Sequence, residues 1–202
     1  GETHGDESLI HQFCNYKQEN GLHTVFLFKA LSTPFTATAY RKMVEKFEKY
    51  FPEPLIPTYV FGNHDRTRMM ARLKGNIAKA KLLALFQFTV RGIPFVYYGE
   101  EIGMTRVRIP LRQAQDPIGV RMRYIPQFMV DLSIETLNRD ECRTPMQWDN
   151  SANAGFCAKE IKPWLPISEN YTYCNVQTAQ NDEDSLLNFY KKIIHFRNIT
   201  AA

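Results

Sequence analysis

Apolar and polar positions alternate along this chain in stretches with distinct periods. Between Thr36 and Tyr50, Tyr40, Met43, Val44 and Phe47 recur on one stripe, with Arg41, Lys42, Glu45, Lys46, Glu48 and Lys49 opposite. That spacing predicts an amphipathic helix closed by Pro52. Asn76 to Val90, carrying Ile77, Ala80, Leu83, Phe86 and Val90, predicts a second and more apolar helix that stops at Arg91-Gly92. A third begins near Asp184-Ser185, with Leu186, Phe189, Ile193 and Phe196 on a stripe widened by Leu187, Tyr190 and Ile194. Nearer the start, Leu9, Ile10, Phe13 and Tyr16 predict a helix over residues 8–20 ended by Gly21. Three short β-branched and aromatic runs predict strands: His23 to Phe28, Thr58 to Phe61 and Ile93 to Tyr98. Strand and helix alternate, the signature of a parallel α/β sheet or barrel. From Gly103 to Glu183 the periodicity dissolves into a proline-interrupted segment of roughly eighty residues, far beyond an ordinary connection. A segment of that length in a compact domain usually covers or lines a site.

Composition narrows the choice of class. With 202 residues and 44% hydrophobic content, the chain can bury a sizeable core and sits at one domain by length. No run of ~18 apolar residues exists, so no membrane span is expected. The opening residues lack the basic start and apolar core of a signal peptide. Cys14, Cys142, Cys157 and Cys174 are widely spaced, which predicts scattered thiols in a reducing, cytoplasmic setting rather than a zinc site. Arg106, Arg108, Arg112, Arg121 and Arg123 cluster near Tyr124, but no nucleic-acid-binding motif accompanies them. Neither a metal nor a cofactor is called for.

The chemistry concentrates in Phe61-Gly62-Asn63-His64-Asp65-Arg66-Thr67-Arg68. A buried strand runs out at Gly62 and presents Asn63, His64, Asp65 and Arg68 together. In α/β folds such strand ends are where ligands meet the sheet. An Asn-His-Asp tripeptide contributes nothing to a core, since every group would need a buried partner. It could equally be a turn capped by an Asp. Glu100 and Glu101, taken as neighbours on a strand, should point to opposite faces, with Glu101 nearer the site and both mainly structural.

Three longer motifs decide between these readings. Phe61 to Arg68, then Gly92-Ile93-Pro94-Phe95-Val96-Tyr97-Tyr98-Gly99-Glu100-Glu101-Ile102-Gly103-Met104, resembles the end of the catalytic barrel of the α-amylase family of glycoside hydrolases. Arg143-Thr144-Pro145-Met146-Gln147-Trp148-Asp149, with Ala154-Gly155-Phe156 and Pro163-Trp164-Leu165-Pro166, narrows the likeness to the oligosaccharide-type α-glucosidase branch. The resemblance implies a (β/α)₈ TIM barrel. Residues 1–202 would supply its C-terminal part, about strands 5–8 with their helices, and an irregular substrate-entrance segment at about 104–183. It also implies retaining cleavage of α-glucosidic bonds in a small oligosaccharide or disaccharide. That chemistry needs a general acid, a nucleophile and a third carboxylate gripping the sugar hydroxyls. Asp65 matches the third role. His64 and Arg68 match sugar-binding positions, and Glu2, in Gly1-Glu2, matches the general acid; Arg143, on the long segment after the last strand, is expected to shape the substrate entrance and contact the sugar. No stretch matches the family's nucleophile, so the 202 residues resemble a part of the catalytic domain that is inactive alone. Two alternatives stay open: a non-catalytic scaffold homologue, and an isomerase or transglycosylase like a trehalose synthase. The residues leave linkage preference and oligomeric state open.

Overall fold

The computed structural model describes residues 1–14, 20–131 and 137–200. In chain order its helices and strands are α1 (Glu7–Ile10), α2 (Lys29–Ser32), α3 (Ala37–Tyr50), β1 (Thr58–Val60), α4 (Met69–Arg72), α5 (Ile77–Thr89), β2 (Ile93–Phe95), α6 (Pro117–Arg121), α7 (Gln127–Asp131), α8 (Val176–Asn181) and α9 (Leu186–Thr200). The fold is α/β. The chain groups into two compact units, residues 1–61 with 89–96, and residues 62–88 with 97–202.

The first unit is built on β1 and β2, which pair in parallel with Thr58 opposite Ile93, Tyr59 opposite Pro94 and Val60 opposite Phe95. Thr58, Tyr59 and Val60 are all buried. Residues 24–27 lie beside β1 in an extended run but form no regular ladder, because a side chain stands in for the backbone. The Thr58 hydroxyl donates to the Val25 carbonyl at 2.7 Å and accepts from the Leu27 amide at 3.0 Å. On the far side of that run the Gly1 amine donates to Thr24 O and Gly1 O accepts from Phe26 N, the alternation of a parallel bridge. The strand expected over His23 to Phe28 is therefore an extended segment, corrected for this reason.

α3 matches its predicted span. Thr36 caps it by accepting from Ala39 N, and Met43 and Phe47 form its buried face. The Phe47 ring packs 5.3 Å from that of Tyr59. Arg91 closes its other end, donating to Phe51 O and Leu55 O and pairing with Glu48, as a cation at a helix C-terminus should. Gly92 is required beside it: its φ of 150° is combined with a backbone approach to Pro57 O that a Cβ would obstruct. The helix expected over residues 8–20 is shorter than its pattern. α1 ends at Ile10 and passes into a 3₁₀ turn over His11–Phe13; residues 15–19 lie outside the described residues. Lys46 ties α1 to α3 through Asp6 and Glu7.

In the second unit α5 and α9 pack together. Phe88 meets Tyr190 edge-on at 5.9 Å, and Arg197 donates to Phe88 O at 2.8 Å, closing α5. Leu186, Tyr190 and Ile193 are the buried residues of α9, a narrower stripe than its sequence suggested, since Ile194 and Phe196 are exposed. Ile102, Met104 and Met146 form a core that Val176, Ala179 and Leu187 extend. The long segment after residue 103 is thus folded against its own unit, with short helices and 3₁₀ turns in place of long elements.

Candidate functional site

β1 runs out through Phe61 into a turn whose geometry is fixed by Asn63. Its Oδ1 accepts from the Asp65 amide at 3.1 Å, the side-chain mimic of a backbone turn. Gly62 is needed at the start because a Cβ there would overlap the Glu100 carboxyl. His64 is exposed and the Asp65 carboxylate half-exposed.

The Asp65 carboxylate is held from one side. Oδ1 lies 2.9 Å from Arg139 Nη1, 3.0 Å from Arg143 Nη2 and 3.4 Å from His64 Nε2. Among the described residues its ion pairs and hydrogen bonds all fall on Oδ1, so Oδ2 is left to accept from a ligand. Arg143 also donates from Nε to the His64 carbonyl at 2.9 Å, clamping the turn and its carboxylate with one guanidinium.

The two arginines meet a second carboxylate. Asp116, fully buried, accepts through Oδ1 from Arg139 Nε at 2.9 Å and Nη2 at 2.6 Å, with Arg143 Nη1 at 3.6 Å. Burial raises the Asp116 pKa, but the Arg139 hydrogen bond and charge outweigh it and leave it lowered. The pKa of the Arg139 guanidinium is correspondingly raised, first by the hydrogen bonds it donates to Asp116. Two positive and two negative groups thus form a closed set, in which neither acid is buried without a cation.

The segment from Asn138 to Thr144 is anchored residue by residue. Asn138 accepts from Asp140 N and donates to Ile109 O. Asp140 accepts from the amides of Gln115 and Asp116, and Glu141 from that of Ile109. Two tyrosines grip the same segment by its carbonyls: Tyr97 Oη donates to Cys142 O at 3.1 Å and Tyr98 Oη to Thr144 O at 2.8 Å. Arg143 lies between those two carbonyls and is aimed at Asp65. Burial pushes the Cys142 thiol up to about 11, so it stays protonated.

Arg68 is only 1% exposed. Its guanidinium lies 5.1 Å from the Tyr97 ring centroid and 4.6 Å from that of Tyr98, and Nη1 donates to Tyr98 O at 2.7 Å. Its Nε and Nη2 find no hydrogen-bond partner among the described residues. Glu100 is also buried, and burial pushes its carboxyl up to about 8, against the Tyr97 amide and the charges of Arg72 and Arg68. Glu100 and Glu101 lie in a turn, not on a strand. Glu100, rather than Glu101, packs behind Gly62, with one oxygen 3.2 Å from Tyr97 N. Glu2 is exposed and belongs to the first unit.

The structure therefore brings His64, Asp65 and Arg143 together and sets Arg68 beneath the two tyrosines. Sequence reasoning missed Arg139 and Asp116. The only signal for Arg139 was its place four residues before Arg143, beside Asp140 and Glu141. For Asp116 the signal was a helix start, Asp followed by Pro, which predicts a cap and nothing more. Among the described residues no group of three or more His, Cys, Asp or Glu could hold a metal ion.

The chain is 36% identical over 177 residues to an oligo-1,6-glucosidase of Parageobacillus thermoglucosidasius, covering 81% of this chain and 31% of that protein. It is 34% identical over 200 residues to a salivary alpha-glucosidase of Aedes aegypti, covering 96% and 33%. The crystal structure of trehalulose synthase MutB from Pseudomonas mesoacidophila MX-45 superposes with a TM-score of 0.83 at 30% identity, over 97% of this chain and 39% of that one. The chain spans about a third of the length of the curated relatives it matches. The model of the alpha-amylase catalytic domain matches residues 1–202, and the chain belongs to that family.

Proposed function

We propose that these residues form part of the site of a retaining α-glucosidase acting on short oligosaccharides or disaccharides of the maltose or isomaltose type. The observation that carries the reading is the half-exposed Asp65 carboxylate, moored through Oδ1 by Arg139, Arg143 and His64 at the end of a parallel strand. The names of the relatives, oligo-1,6-glucosidase and alpha-glucosidase, support it. In this proposal β1 and β2 are the seventh and eighth strands of a (β/α)₈ barrel. The segment over residues 24–27 is the sixth, and Gly1-Glu2 closes the fifth.

In the proposed reaction, positive charge builds at the anomeric carbon as the glycosidic bond breaks. Asp65 Oδ2 accepts from adjacent hydroxyls of that sugar, and the hydrogen bonds tighten as the ring distorts. Holding Oδ1 with fixed guanidiniums means the acceptor need not reorganise at that moment. His64 supplies a second contact beside it. Arg143, gripped by the tyrosines, lines the sugar's near side, and Arg68 supports that wall from below. Glu2 is assigned as the acid that protonates the leaving oxygen. No residue of the 202 is assigned as nucleophile, which in this reading comes from chain outside them.

The test uses the protein that carries this chain, supplied with maltose, isomaltose and 4-nitrophenyl α-glucoside. Glucose release is expected, and Asp65→Asn should lower turnover by about 10²–10³-fold. Normal turnover in that variant would refute the role given to Asp65. The likeness to a trehalulose synthase supports a second reading, isomerisation on the same site. Incubation with sucrose separates the two: free glucose marks hydrolysis, an isomeric disaccharide marks isomerisation.

A further inference from the structure

We propose that Asp116 is a positioning residue for Asp65, acting through Arg139 and Arg143. The inference rests on the sugar-gripping role proposed for Asp65 and deepens it. Asp116 reaches neither His64 nor Asp65 by any contact among the described residues, yet both guanidiniums that hold Asp65 Oδ1 also face Asp116 Oδ1. Arg139 turns its Nε and Nη2 edge to Asp116 and its remaining Nη1 to Asp65. A planar guanidinium fixed along one edge by two hydrogen bonds loses its freedom to swing. Its third nitrogen is then set where Asp65 needs it. Arg143 meets Asp116 only as an ion pair, Nη1 lying 3.6 Å from Oδ1, and its Nε is spent on the His64 carbonyl.

Asp116 is well built for this task. Its side chain is fully buried, so no water competes for Oδ1. Its amide is held by Asp140 Oδ2 at 3.0 Å, and its Oδ2 accepts from Gly119 N at 3.4 Å at the start of α6. The carboxylate is thus located from two sides, by the turn at Arg139–Cys142 and by the start of α6. Its charge also divides the arginines' attraction. Without it, both cations would close on Asp65, including the Oδ2 that the sugar should use.

The experiment compares wild type, Asp65→Asn, Asp116→Asn and the double variant in the protein that carries this chain. Asn keeps the volume and the acceptor oxygen of Asp116 and removes its charge. Asp116→Asn is expected to lower kcat about tenfold with KM within about twofold. It should also weaken binding of 1-deoxynojirimycin, a protonated piperidine analogue of glucose. In the Asp65→Asn background the same change should have no further effect on that binding, since a residue that works only through Asp65 has nothing left to position. A loss that adds fully to that of Asp65→Asn, or wild-type kcat in Asp116→Asn, overturns the positioning role while leaving the glucosidase reading intact. Wild-type protein that hydrolyses no α-glucoside overturns both. Should Asp116→Asn fail to fold, Arg139→Lys takes its place: it keeps the charge and loses the two-edged bridge, and wild-type turnover there is equally fatal.

Discussion

Two stretches hold the Asp65 carboxylate in place, and they do so by opposite means. From Gly62 to Asp65 the chain relies on its backbone: a strand that ends, a glycine with no room for a Cβ, and an Asn that closes the turn onto the Asp65 amide. From Asn138 to Thr144 no strand or long helix contributes. Side chains fix that stretch one at a time, and tyrosines from another loop grip its carbonyls. A backbone-built site should fail through sterics and burial, whereas one built from side chains should erode in increments as single bonds are removed.

The largest expected effect tests the backbone side from beneath. Glu100 is pushed up to about 8 by burial behind Gly62, far above an ordinary carboxyl. A carboxyl with a raised folded-state value is neutral in the fold while the unfolded chain ionises. Its destabilising contribution therefore appears above the ordinary carboxyl range and is complete above about pH 8. Glu100→Gln keeps the acceptor for Tyr97 N and removes the ionisation. Its unfolding free energy relative to wild type should rise steadily from about pH 5 to about pH 8 and then level off, at an advantage on the order of a few kcal/mol. A difference that stays flat across that range would place the Glu100 carboxyl in a wetter site than described. Next comes Gly62→Val, which drives two methyl groups into the Glu100 carboxyl. A loss of about 2–3 kcal/mol in denaturant unfolding is expected, with turnover lost as the turn deforms.

The side-chain region should respond more gently. Arg143→Lys keeps a positive charge but gives up its hold on the His64 carbonyl and Asp65 together. Turnover should fall roughly 10- to 100-fold with little change in melting. Tyr98→Phe removes one hydrogen bond to Thr144 O and should cost about 1 kcal/mol in unfolding free energy. The smallest change is Asn63→Ala, which removes the turn's own side-chain bond and should cost about 0.5–1 kcal/mol. If Tyr98→Phe proved more damaging than Gly62→Val, the contrast between the two regions would be wrong.

The same contrast explains what the sequence disclosed. α3 was legible because Met43 and Phe47 repeat with helical period, and α5 and α9 for similar reasons. β1 and the turn after it were legible because a short apolar run ending in Gly-Asn has only a few local solutions. The run at residues 23–28 looked like a strand and is extended over residues 24–27, but its partner is the Thr58 hydroxyl, and no period encodes a side-chain substitute for a ladder. β2 stops at Phe95 because Tyr97 N turns to Glu100. Asp65, His64 and Arg143 were singled out through motifs, whereas Arg139 and Asp116, which the structure sets beside them, were not. Their pairing joins residues 23 apart in a stretch without periodicity, and charge complementarity at that separation has too many candidate partners to be read along a line.

The tyrosine grip has an implication for how this corner of the molecule can vary. Tyr97 and Tyr98 bind main-chain oxygens at positions 142 and 144, atoms that every amino acid carries. A clasp of that sort is indifferent to genetic drift in what it clasps. Mutations at those two positions that fit the available space can accumulate without disturbing the aim of the arginine between them, so the pair of phenols, rather than their targets, is where selection would have to act.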